Sequence, residues 1–110
     1  MYSAAFIYQP GQYDDEFHRL NAIIDSVARS LPGFLGVESW QSADGDRRNA
    51  TYYWSDLDTL KLFSAHPVHQ EAKRQYARWY KGYHIVVSEV VRSYGDGSLA
   101  HITPNDRQHA

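Results

Sequence analysis

The chain has 110 residues, 11 Lys and Arg against 13 Asp and Glu, no cysteine, and nine tyrosines, four phenylalanines and three tryptophans that make up 15% of it. The length leaves room for one compact domain with a thin core, and the missing cysteines exclude a disulfide framework, thiolate metal centres and a thiol nucleophile. A formal charge of -2 is too near neutral for a dedicated nucleic-acid binder. No apolar run approaches the ~20 residues of a membrane span, and Met1-Tyr2-Ser3-Ala4 lacks the basic start of a signal peptide, so a soluble cytoplasmic protein is expected.

Residues 2–9 (YSAAFIYQ) read as a strand closed by Pro10-Gly11. From Asp14 to Leu31 the apolar positions Phe17, Leu20, Ile24, Val27 and Leu31 step by three and four, the stripe of an amphipathic helix. Asp14, Asp15 and Glu16 suit the positive end of its dipole, and Pro32-Gly33 ends it. Residues 34–42 and 49–55 are aromatic and β-branched strands joined through an Asp44-Gly45 turn, which makes them antiparallel neighbours. Ser55-Asp56 caps a helix carrying Leu57, Leu60 and Phe63, which His66-Pro67 interrupts. Val68, Ala72, Tyr76 and Trp79 then continue a helical stripe to about Gly82, with Lys73, Arg74, Arg78 and Lys81 as its solvated face. Residues 83–94 hold four valines and an isoleucine and form the last strand. A domain over 1–95 is thus followed by a tail over 96–110 whose end has the composition of a disordered segment.

The order strand, helix, strand, strand, helix, strand is that of the α+β, ferredoxin-like βαββαβ fold, with right-handed crossovers and both helices on one face of a four-stranded antiparallel sheet. In such a sheet the uncovered face should be polar. Here Ala5 and Ile7 alternate with Ala4 and Phe6, and Val86 and Val90 with Ile85, Val87 and Val91, so both faces are apolar. A second copy stacked by a twofold axis covers the free face, and a homodimer is expected.

The first strand ending in Pro10-Gly11, the Leu31-Pro32-Gly33-Phe34-Leu35-Gly36 turn, Trp40, Trp54 in a YWSD segment, His66-Pro67-Val68-His69 and Trp79-Tyr80 occur in that order over residues 2–94. In their order and spacing the chain resembles the antibiotic biosynthesis monooxygenase family of dimeric α/β-barrel proteins. The resemblance implies a pocket between helices and sheet. Some members oxidise polycyclic aromatic molecules with O₂ and no cofactor, and others bind and degrade haem. The haem-degrading members use an Asn on the first strand, a Trp on the second helix and a later His ligand; aligned here, those places hold Ile7 or Tyr8, Phe63 and Lys73. A haem would then need another ligand, for which His69 is nearest.

A cofactor-free oxygenase needs a base, a flat apolar slot and a dry place for O₂. His is the natural base: His69 is the first candidate, His66 the second and His84 the third, against the plainer readings that His66 caps its helix and His69 is solvated. His66 and His69 are three apart, one short of the spacing in the zinc-protease signature and without its Glu, so no metal is expected. For the slot, Trp54 and Phe63 are the better contacts, with Trp40 and Tyr8 as further ones. Tyr76 and Trp79 fit the helix core, and of Tyr52 and Tyr53 only one can face a pocket, because they alternate along a strand. No Gly-rich phosphate loop and no Ser-His-Asp set is present. The expected activity is a cofactor-independent monooxygenase acting on an aromatic or quinol-type molecule, with a haem-binding or haem-degrading enzyme and a non-catalytic ligand-binding or stress-related dimer as alternatives.

Overall fold

The computed structural model describes residues 1–107; the last three positions of the expected tail, 108–110, lie outside the described residues. The elements are β1 (Tyr2–Pro10), α1 (Asp15–Ser30), β2 (Phe34–Gln41), β3 (Arg48–Trp54), α2 (Leu57–Ala65), α3 (Pro67–Arg74), α4 (Tyr76–Trp79) and β4 (Tyr80–Glu89). All three strand pairings are antiparallel and the sheet order is β2-β3-β1-β4, which is the ferredoxin-like arrangement.

The ends of the elements follow from side chains near them in sequence. The Asp14 carboxylate accepts from the Phe17 N–H at 2.9 Å and starts α1, and Asp56 does the same for the Thr59 N–H at 2.7 Å and starts α2. Between β2 and β3, Gly45 takes φ +73°, and the Asp44 carboxylate accepts from the Ser42 hydroxyl and the Asp46 N–H. At the proline the His66 Nδ1 accepts from the Val68 N–H at 3.1 Å, so α3 is a separate, newly capped helix.

Two expectations need correction. The helix after Pro67 does not run on to Gly82. Gln75 adopts φ -105° and ψ 8°, outside regular helix, and the chain enters β4 at Tyr80. The last strand stops at Glu89 rather than Tyr94, because its partner β1 runs out: Glu89 pairs with Tyr2, and the Val90 N–H reaches the Met1 carbonyl at 2.9 Å. Val91, with no strand beside it, is 91% exposed.

The register places Tyr2, Ala4, Phe6 and Tyr8 of β1 on one face with Tyr52 and Trp54 of β3 and Ile85 and Val87 of β4. The helices pack on this face. Ala28, Trp54, Leu60 and Phe63 form the buried core, flanked by Tyr2, Ile24, Val27 and Phe34. A second aromatic group sits at the start of α1, where Phe17 meets Trp79 edge-on with centroids 5.5 Å apart and Tyr80 meets Phe6 edge-on at 5.3 Å. On the outer face the tail folds back over β2 and β3. The His101 Nδ1 accepts from the Thr103 N–H, which leaves the proton on Nε2 to donate to Glu38 at 2.8 Å, and the Tyr53 hydroxyl donates to the same carboxylate at 2.6 Å. Ile102 lies against Gly36, where φ is +151° and a Cβ would come within 3.0 Å of the isoleucine.

Candidate functional site

Between the sheet and the helices lies a cavity of about 170 Å³. Its sheet wall is Ala4, Phe6, Tyr52, Trp54, Ile85 and Val87, and its helix wall is Ile24 of α1, Leu60, Phe63 and Ser64 of α2, and His69 and Lys73 of α3. Tyr76, Tyr80 and Tyr83 line it further along. It opens toward the β4 edge, where Tyr83, Ile85 and Val87 are all 40% or more exposed. Tyr52 stacks on Phe63 at 5.6 Å with planes 28° apart, and Trp54 stands 5.0 Å from the same ring, so the interior is faced with flat aromatic surface.

The polar groups in this apolar setting are few. The His69 ring stands edge-on to Phe63, centroids 4.8 Å apart, and its Nδ1 is buried with no hydrogen-bond partner. Burial, with the nearby Lys73 charge and His66 as smaller causes, lowers its pKa from 6.5 to about 4. The imidazole is therefore neutral at pH 7. Trp54, fully buried, likewise has an Nε1–H with no acceptor. An unmatched buried polar atom costs about 1–3 kcal/mol, so these two, on residues that line one cavity, mark the least satisfied part of the core. Burial also raises the pKa of Tyr52 and Tyr80, whose phenols stay protonated.

Of the residues singled out in the sequence, Trp54, Phe63 and His69 come together here. The others do not. His66 is committed to capping α3 and Trp40 is 59% exposed on β2, while Tyr8 stacks on Phe6 at 4.8 Å and packs against Tyr80, within the second aromatic group. His84 alternates with Ile85 and so points to the outer face. Tyr76 is not core but 43% exposed at the cavity, because the break at Gln75 separates it from the α3 stripe; Trp79 is buried as expected. Tyr52 is the member of its pair that faces the cavity. Lys73 was expected on a solvated face and instead lines the cavity, one helical turn after His69. That i, i+4 spacing was readable in the sequence.

Among the described residues no three His, Cys, Asp or Glu side chains gather to hold a metal ion. The one imidazole among the lining residues, His69, has its Nδ1 covered by protein and is not presented to a haem iron through that atom. No helix among the described residues is long and apolar enough to cross a membrane.

Solved structures with this fold include a variant of SnoaB, a cofactor-independent oxygenase from Streptomyces nogalater, with a TM-score of 0.68, 14% identity, and 84% of this chain and 94% of that one covered. Rv0793 from Mycobacterium tuberculosis matches with a TM-score of 0.64 and 15% identity over 86% and 98% of the two chains. A Deinococcus radiodurans protein assigned to the antibiotic biosynthesis monooxygenases matches with a TM-score of 0.67 and 15% identity over 86% and 97%. In sequence the chain is 41% identical over 68 residues to YqjZ of Bacillus subtilis (strain 168), an uncharacterized protein, and the match spans 61% of this chain and 59% of that one. The family model described as Monooxygenase af470-like matches residues 7–88, in agreement with the resemblance carried by the sequence motifs. The chain belongs to the monooxygenase af470-like family.

Proposed function

We propose that the protein is a cofactor-independent monooxygenase for a flat aromatic or quinol-type molecule, held in the cavity between the sheet and α1 to α3. The observation that carries this reading is a neutral imidazole, unpartnered at Nδ1, set in a wall of aromatic rings. With an anthrone-type substrate, His69 takes a proton from the ring CH₂ group, and the resulting carbanion is electron-rich enough to reduce O₂ directly. Transfer of one electron and recombination form a C–O bond to a peroxide. Loss of the second hydrogen and cleavage of the O–O bond leave a ketone, and the other oxygen departs as water with the proton that His69 had held. The substrate has lost two hydrogens and gained one oxygen, and O₂ has taken up four electrons. Tyr52, Trp54 and Phe63 hold the ring and keep water from the carbanion.

Oxygen uptake by the purified protein with a panel of anthrones and hydroquinones tests this. The expected result is uptake above the uncatalysed rate with at least one member and one ketone formed per O₂ consumed. No uptake with any of them sinks the reading.

A homodimer belongs to the same proposal. The outer sheet face carries Ala5, Ile7 and Val86, the last 41% exposed, while the contacts of the tail fall on Gly36, Glu38 and Tyr53 of β2 and β3. A second copy is expected to cover the rest, so sedimentation at micromolar concentration should give about twice the 12.7 kDa chain mass. A monomer would remove the pairing.

A further inference from the structure

Lys73 places a cation on a cavity wall that is otherwise nearly all apolar, and among the described residues it has no carboxylate partner. Its Nζ meets only the Ser64 hydroxyl, at 3.3 Å. The acid nearest in sequence, Glu71, is taken, since its carboxylate accepts from Arg74 and, at 2.6 Å, from Gln75. Lys73 is half-buried and His69 stands one turn before it, so α3 presents a cation and an unpartnered imidazole on the same side, about 5–6 Å apart at their Cβ atoms. A positive charge beside a low-dielectric aromatic slot favours a negatively charged oxygen over a neutral one.

We propose that the ligand of this cavity is an aromatic anion, a flat ring system bearing a carboxylate or an ionised phenol, with Lys73 as its counter-ion. The inference rests on the cavity being a ligand site and deepens the oxygenase reading: the ionised oxygen sits at Lys73, and the position that loses its proton sits at His69. The two α3 side chains are then coupled. Burial is the main cause of the low His69 pKa and the Lys73 charge a smaller one, so an anion that neutralises Lys73 lifts only that smaller part.

The test is binding rather than turnover, so it is independent of whether O₂ is reduced. Quenching of tryptophan fluorescence is titrated with 2-naphthoate and with its neutral analogue 2-naphthalenemethanol, on wild type, Lys73→Met and Lys73→Arg. The expected result is naphthoate at least ~10-fold tighter than the alcohol in wild type, a preference lost in Lys73→Met and kept in Lys73→Arg. Equal affinity for the two ligands in wild type, or an anion preference that survives in Lys73→Met, overturns the assignment even if oxygen uptake has been found. Binding of neither ligand to wild type removes the cavity as a ligand site and the assignment with it. An anion preference in a protein that consumes no O₂ supports the assignment while the oxygenase reading fails.

Discussion

His69→Ala is expected to lower the rate of oxygen uptake by ~10²–10⁴-fold, the range general-base catalysis contributes. Because the side chain leaves a cavity that already exists and takes no hydrogen bond with it at Nδ1, the fold should tolerate the change. The pH dependence identifies the group. A base must be unprotonated to act, and burial, with smaller contributions from Lys73 and His66, lowers the His69 pKa from 6.5 to about 4. The profile of kcat/KM, which reports the free enzyme, should stay flat as the pH falls through 6.5 and drop only toward about 4. Stability carries the same signature with its sign fixed by linkage: between pH 6.5 and about 4 the unfolded chain binds a proton at this position that the folded chain refuses, so folding weakens as the pH falls through that window. A rate unchanged in His69→Ala, or a profile that breaks near 6.5, would remove His69 from the role given to it.

Trp79→Ala should be the most damaging single truncation for the fold. Trp79 is 1% exposed and packs edge-on against Phe17, and its Nε1–H donates to Asp14 at 2.9 Å. The same carboxylate caps α1 and takes the Arg78 guanidinium at 2.8 Å, so one carboxylate joins α4 to the start of α1. The backbone is equally close there: the Gly11 N–H donates to the Trp79 carbonyl at 2.7 Å, and a Cβ at Gly11 would meet that oxygen at 2.7 Å. Removing the indole should cost about 3–5 kcal/mol, a large part of the ~5–15 kcal/mol that holds a domain folded. Trp79→Phe keeps most of the packing and loses the hydrogen bond, which sets its cost nearer ~1 kcal/mol. Denaturant unfolding followed by far-ultraviolet circular dichroism at one protein concentration measures both. Equal losses would assign the stabilisation to the Asp14 contact rather than to burial.

The elements that were legible in the sequence are those whose signals are local. The α1 stripe from Phe17 to Leu31, the Asp14 and Asp56 caps, the Asp44-Gly45 turn and the break at Pro67 each depend on residues within a few positions of one another, and all appear where expected. The end of β4 was not legible, because it is set by where β1 begins, and nothing within residues 83–94 records that. The site was half legible for the same reason. Trp54, Phe63 and His69 follow from a strand end and two helix starts, but Tyr83, Ile85 and Val87 enter the cavity only through the register of β4 on β1. Lys73 was misplaced because a row of basic residues reads as a solvated face, and only the turn at Gln75 shows that the row does not share one helix.

That turn, with the proline cap before it, leaves α3 as an eight-residue helix in which no residue is fully buried, pinned to α2 by the Gln70 side-chain amide on the Ser64 carbonyl and by Lys73 on Ser64. α1, by contrast, buries Leu20 and Ala28. The free energy needed to open a segment scales with what it buries, so the helix that carries His69 and Lys73 is held less firmly than α1. Release of these two turns of helix would open the cavity on that side and leave the aromatic floor of the sheet undisturbed.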